Sequence, residues 1–448
     1  MYRYITILLS MALLASCNDP EPIIDRTDRL DQQLSQALRA GSNGQGASYF
    51  KLPDSDDFFR IPQDPNNPLT TEKVALGKLL YHETGLAVKS KRLEGMQTYS
   101  CASCHHAQAG FQAGTRQGIA DGGIGFGVAG EGRQPNILFP VDSLDVQPVR
   151  SPSTLNSAYQ IVQLWNGQFG ATGPNEGTES QWTEVTPIAT NNLGFEGVET
   201  QAIAGLSVHR MECDTALIYN TEYQQRFDQV FSNVPAPERY DLEQAGLAIA
   251  AYERTLLANR SPFQRYLRGE TGAMSSHQKQ GALLFFGKAN CVSCHNGPAL
   301  NSMEFHALGT GDLLGEGVHR ESADDPAHRG RGSFTGKAED DYKFKVPQLY
   351  NLKDSPFYGH GGTFRSVQEV IEYKNRGQAE NSQVPKSQLA EEFTPLNLSE
   401  EEVQQLTDFI ENALYDPDLM RYVPESIPSG QSFPNNDEQS RNDMGFGT

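Results

Sequence analysis

Cys101-Ala-Ser-Cys104-His105 and Cys291-Val-Ser-Cys294-His295 are the two stretches around which the chain is organised. Each has the spacing CxxCH, the pattern of covalent c-type haem attachment. Two thiols on one tight turn add across the two haem vinyl groups, and the imidazole that follows is held beneath the iron. The competing reading is a zinc ion shared by two CxxC pairs. Such pairs usually stand close together, whereas these lie in opposite halves of a 448-residue chain. Zinc also gives no reason for a His after both pairs. The spacing predicts two covalently bound c-type haems, on Cys101 and Cys104 with His105 as proximal ligand, and on Cys291 and Cys294 with His295.

Outward from each motif the same element recurs. Thr71 to Tyr81 reads as a helix leading to the first motif, and Ser276 to Phe285 as one leading to the second. Both carry Gly-x-Leu-Leu-aromatic, as Gly77-Lys-Leu-Leu-Tyr81 and Gly281-Ala-Leu-Leu-Phe285. A Gly inside a helix costs about 1 kcal/mol against Ala, so its repetition predicts a close helix–helix approach. A repeat upstream of each motif predicts two related domains. Each has a candidate closing helix, Asp241 to Ala258 and Ser399 to Leu414. The latter opens on a capping box, Ser399-Glu-Glu-Glu402, and carries an apolar stripe of Val403, Leu406 and Ala413. Long Gly- and Pro-rich loops separate these elements, and no convincing β pattern is present. The expected fold is mainly α, two cytochrome c-like haem domains in tandem with long loops. Expected boundaries are 1–16 for a lipoprotein signal peptide, 17–69 for a tether and N-terminal helix, 70–270 and 271–425 for the haem domains, and 426–448 for a polar tail.

The N-terminus carries its own message. Arg3 precedes an apolar run from Ile5 to Leu14, too short to span a bilayer, and Leu14-Ala-Ser-Cys17 resembles a bacterial lipobox. That implies cleavage before Cys17, lipidation of Cys17, and a membrane tether. The expected location is the periplasmic side or outer membrane of a Gram-negative-type bacterium. Asp25 to Ala40 reads as an amphipathic helix with Leu30, Leu34 and Leu38 on one face. Cys213 reads as a small buried hydrophobe. With 36 Lys and Arg against 56 Asp and Glu, the balance excludes nucleic acid as a partner and suits a basic electron-transfer protein.

Further segments follow in a specific order: Arg150-Ser-Pro-Ser-Thr-Leu-Asn156, Leu164-Trp-Asn-Gly167, Tyr252-Glu-Arg-Thr-Leu256, Ser261-Pro-Phe263, Phe344 to Asn351, and Pro356-Phe-Tyr-Gly-His-Gly-Gly362. With the two CxxCH motifs, this set resembles the bacterial diheme cytochrome c peroxidase family, including its MauG-type enzymes, from about Thr70 to Leu414. The resemblance implies that the first haem meets hydrogen peroxide. The second would take electrons from a small electron-donor protein, a cytochrome c or a copper protein. It implies that Trp165 lies between the haems and that a Glu after the Trp motif is the distal acid/base. Glu196 sits best by position, with Glu199 in reserve. The family often holds calcium between its domains, but Arg150 stands where an Asn is expected, which speaks against calcium here. A homodimer is left open.

Two departures matter. Many family members block the peroxidatic iron with a His in an Ile-Gly-His-Gly stretch; this chain reads Ile124-Gly-Phe126-Gly127, which implies an open sixth position. The distal ligand of the second haem is a Met, or a Tyr in the MauG type. Here the corresponding helix reads Val367 to Asn375 without Met, leaving Lys374 nearest and Tyr373 adjacent, with Met303 and His306 not excluded. His106 is expected to be a solvated neighbour of the first ligand, His209 to support the site, and His360 to line the haem interface. Two function classes result, a peroxidase and, kept in play by the missing Met, a MauG-type oxidase acting on side chains of a partner protein; a pure electron carrier stands behind them, disfavoured by an open distal site with a Glu.

Overall fold

In the computed structural model residues 26–446 are described; Cys17 and the export signal lie outside them. The chain is mainly helical. Its first half holds α1 (Arg26–Gly41), α2 (Thr71–His82), α3 (Gly197–Val208), α4 (Thr215–Ile218), α5 (Glu222–Val230) and α6 (Leu242–Arg254). Its second half holds α7 (Pro262–Leu267), α8 (Ser276–Phe286), α9 (Arg331–Thr335), α10 (Val367–Arg376), α11 (Glu400–Asp408) and α12 (Glu438–Asp443). Two antiparallel pairs of two-residue strands complete it: β1 (Gly123–Ile124) with β2 (Gln134–Pro135), and β3 (Phe305–His306) with β4 (Phe344–Lys345).

The repeated glycines explain the packing. A Cβ on Gly77 would lie 1.8 Å from the Ala248 carbonyl oxygen of α6. A Cβ on Gly281 would lie 2.0 Å from the Gln405 carbonyl oxygen of α11. In both halves the helix leading to CxxCH therefore crosses its closing helix backbone to backbone, a contact only Gly permits. Caps set where these helices start. Thr70 accepts from Lys73 N at 3.2 Å in α2. Ser275 with Gln278, and Ser399 with Glu402, form capping boxes at α8 and α11. The first closing helix ends at Arg254, short of the expected Ala258, because the chain turns so that Leu256 O accepts from Asn156 N at 2.7 Å. The second ends in a π-helical turn, Phe409–Ala413.

The N-terminal helix is formed as expected, and buries Leu30, Leu34 and Leu38. It packs on α8, where Lys279 Nζ meets Asp31 Oδ1 at 2.6 Å. The polar C-terminal segment returns to the first motif: Ser100 Oγ donates to Pro434 O at 2.9 Å, and Asp437 pairs with buried Arg133 at 3.3 Å.

Candidate haem sites

The second motif follows α8 as one tight turn, Cys291–Ser293. His295 Nδ1 donates toward Pro347 O at 3.1 Å and Leu300 O at 3.2 Å. Those carbonyls fix the ring and its tautomer, leaving Nε2 as the lone-pair nitrogen. Cys291, Cys294 and His295 face a cavity of about 320 Å³ that also takes in Trp165, Tyr373 and Lys374. A mostly apolar wall, two thiols and one oriented imidazole fit a c-type haem.

The two candidate distal residues differ in their polar contacts. Tyr373 is buried with Phe364 and Phe393, and its hydroxyl donates to Leu308 O at 2.6 Å. Lys374 reaches into the cavity without a hydrogen-bond partner, and burial holds its pKa below the usual lysine value while the nearby cysteines oppose this. His306 stands at the other edge, its Nε2 3.8 Å from Cys294 Sγ and 3.3 Å from Glu304.

The first motif is also a tight turn, Cys101–Ser103, with Tyr81 donating its hydroxyl to His105 O at 2.7 Å. His105 Nδ1 lies 3.4 Å from Phe111 O. Burial pushes both proximal imidazoles down to about 4, with His209 adding to the effect at His105 and Lys374 at His295. Both rings are thus neutral at neutral pH, the form that binds a metal.

Glu199 is fully buried and accepts from Arg254 Nε at 2.8 Å and from its terminal nitrogen at 2.6 Å. Glu196 meets the same guanidinium through one oxygen at 2.9 Å and keeps about a fifth of its side chain exposed (21 %). His209 Nδ1 bonds Asp145 at 2.8 Å; burial lowers its pKa and Asp145 more than offsets this.

His106 corrects the expectation of a solvated neighbour. It is buried, neither ring nitrogen has a partner, and the Phe126 ring packs edge-on against it at 5.0 Å. Asp443 of α12 accepts from Phe126 N at 2.8 Å and pins that loop.

Trp165 lines the second cavity, and its Nε1 donates to Arg150 O at 2.8 Å. Four residues on, Thr154 N donates at 3.0 Å to Phe111 O, the carbonyl that faces His105 Nδ1. Trp165 also meets His360 edge-on at 6.5 Å, and His360 stacks on Phe344 at 3.7 Å. The Arg150 guanidinium donates to Ala113 O at 2.9 Å, Thr115 O at 2.6 Å and Arg116 O at 3.1 Å. These carbonyls already surround a built-in cation, so this place does not fit calcium.

Sequence reasoning missed Asp312, which accepts from His360 Nε2 at 2.9 Å, and Lys345, whose buried amine donates to Val162 O at 2.9 Å and is pushed down to about 7 by burial. Neither carries a periodic or motif signal; only a lysine within the apolar run Phe344 to Pro347 hints at it.

A helical frame repeated about two glycine contacts, each with a CxxCH turn presenting a neutral imidazole, defines a helical protein with two c-type haem sites. The family model described as di-haem cytochrome c peroxidase matches residues 71–272. Cytochrome-c peroxidase IdrP1 of Pseudomonas sp. (strain SCT) is 32% identical over 375 residues, 78% of this chain and 83% of that one. Methylamine utilization protein MauG of Methylorubrum extorquens is 27% identical over 372 residues, covering 82% and 84%. The crystal structure of a MauG-like protein associated with microbial copper homeostasis aligns with a TM-score of 0.56 at 21% identity, over 82% of this chain and 96% of that one, which bears on the fold alone. The chain belongs to the di-haem cytochrome c peroxidase family and is an oxidoreductase of the cytochrome c peroxidase type. Among the described residues no helix is long and apolar enough to cross a membrane.

Proposed function

We propose that the chain reduces hydrogen peroxide to water with electrons from a small donor protein, a cytochrome c or a copper protein. The observation that carries this reading is Trp165, which touches the second cavity and, through Arg150, the segment 150–154 that holds the Phe111 carbonyl against His105. Electrons entering at the second site have an aromatic step toward the first. Each turnover consumes one peroxide, two electrons and two protons and yields two waters.

When bound, the haems supply the redox chemistry. His105 and His295 would ligate the two irons, and the four motif cysteines would carry the thioethers. Phe126 has no lone pair for a metal, so the loop that carries it leaves the first site open to peroxide. Glu196 takes a proton from the proximal oxygen of peroxide and returns it to the leaving oxygen. Arg254 holds that carboxylate in place while Glu199, buried beneath, balances the guanidinium. The two halves act as tandem haem domains, 70–270 and 271–425, tethered through lipidated Cys17 on the periplasmic side or outer membrane of a Gram-negative-type bacterium.

The test mixes fully matured protein with peroxide and a reduced small cytochrome in a stopped-flow instrument. Fast donor oxidation is expected. Glu196→Gln should slow the peroxide step by about 10²–10⁴-fold. Trp165→Phe should slow donor-driven turnover while sparing a single reaction with peroxide. A long-lived oxidised spectrum without donor turnover would reject the peroxidase and favour an oxidase acting on a partner protein.

A further inference from the structure

We propose that Lys374 is the second axial ligand of the iron at the Cys291–His295 site, an amine where Tyr373 would supply a phenolate. The proposal rests on the reading of that motif as a haem site and deepens it.

Polar contacts decide between the two residues. Ser366 caps α10, with Glu369 N donating to its side chain at 3.1 Å. Val367 and Ile371 are buried residues of that helix. Tyr373 and Lys374 both line the cavity, and they differ in what holds their polar atoms. Tyr373 faces Phe364 and Phe393, and its hydroxyl is already bound to Leu308 O at 2.6 Å. To reach a metal it would have to break that bond and leave the cluster. Lys374 faces the cavity shared by Cys291, Cys294 and His295.

The buried lysines, Lys73, Lys279 and Lys345, all have partners. Lys73 Nζ donates to Asn67 Oδ1 at 2.8 Å and Pro68 O at 2.9 Å. Lys279 meets Asp31 at 2.6 Å. Lys345 donates to Gln160 and to Val162 O. Among the described residues Lys374 has neither a hydrogen bond nor an ion pair, and the motif cysteines and His295 lie near its charge. A bond from its lone pair to a metal gives that half-buried amine the partner the protein does not supply. On ligation one Nζ–iron bond forms, one proton leaves the ammonium for solvent, and no electron moves. The rival His306 stands beside the Cys294 sulfur, at the edge where the thioether forms, and its ring is turned to Glu304.

The experiment uses the ferric holoprotein, with haem counted by pyridine haemochrome and ligation read by electron paramagnetic resonance and near-infrared magnetic circular dichroism. Wild type should show two haems per chain, one of them low-spin with imidazole–amine ligation. Lys374→Ala should lose that low-spin signal and keep both haems. Lys374→Met should restore a low-spin haem, now with a thioether charge-transfer band and a higher potential; this rescue separates ligand loss from misfolding. Tyr373→Phe should keep the wild-type signature. An unchanged low-spin signal in Lys374→Ala, or its loss in Tyr373→Phe, would overturn the ligand assignment while leaving the peroxidase reading intact. Fewer than two haems per chain would overturn both.

Discussion

Glu253 shows how one residue can carry a pH dependence. It is buried on α6 and accepts no side-chain hydrogen bond; burial, then the charge of Glu199, push its carboxyl up to about 8, with Arg254 opposing. An unfolded glutamate titrates near pH 4.3. Between those values the native state holds a proton that the unfolded state has released. The stability Glu253 contributes is therefore complete below about pH 4.3 and is lost as pH rises through about 8. Glu253→Gln should flatten that loss, by on the order of a few kcal/mol above pH 8. Melting curves of the two holoproteins at about pH 5 and about pH 9 check it, and a constant difference between them would mean that Glu253 is ionised throughout. Nothing in the pattern Tyr252-Glu-Arg-Thr distinguishes Glu253 from a surface carboxylate. Its protonation follows from what the fold packs around it.

At the scale of elements, the glycine repeat makes a sharper prediction. Gly77→Ala or Gly281→Ala would drive a methyl into a carbonyl of the partner helix, at 1.8 Å and 2.0 Å respectively, so the helix pairs must separate. Either change should destabilise by about 1–3 kcal/mol or more. Gly205, inside α3, is the contrast: an added Cβ meets only the end of Gln201, at 3.4 Å. There Ala should stabilise by about 0.5–1 kcal/mol, because only helix propensity changes. Chemical denaturation of the three variants separates the cases. The close contact at Gly77 and Gly281 was legible because a helix-interior Gly is unfavourable unless something needs the space. Gly205 looks alike in sequence and has no such neighbour, a distinction only the packing makes.

Over the whole molecule, the C-terminal segment closes the first half. Arg133 and Asp437 form an ion pair with side chains 2% and 8% exposed, and Asp437 also caps α12 through Ser440 N at 2.9 Å. Asp437→Ala leaves a buried guanidinium short of its charge partner, and should cost about 3–5 kcal/mol. Removing the exposed pair Arg226–Glu222 should cost less than about 1 kcal/mol. Unfolding midpoints of the two variants test the difference. From sequence, residues 426–448 read only as a polar tail, because polar composition does not reveal a segment that buries its charges against a distant part of the chain.

The sequence by itself determined the local chemistry: two CxxCH turns, the helices that lead to them, the Ser399 cap of the second closing helix, and the glycines where helices touch. Spacing of a few residues is enough for each of these, since a turn, a cap or a helical face is set by near neighbours. The tertiary structure alone decided which side chains meet across long separations. It committed Glu199 to Arg254, buried His106 beneath Phe126, surrounded Arg150 with carbonyls, and bound the Tyr373 hydroxyl to Leu308 while leaving the Lys374 amine in the same cavity without a partner. Tyr373 and Lys374 are adjacent in sequence and each could bind iron; what separates them is a carbonyl brought from 65 residues away, which local pattern does not encode.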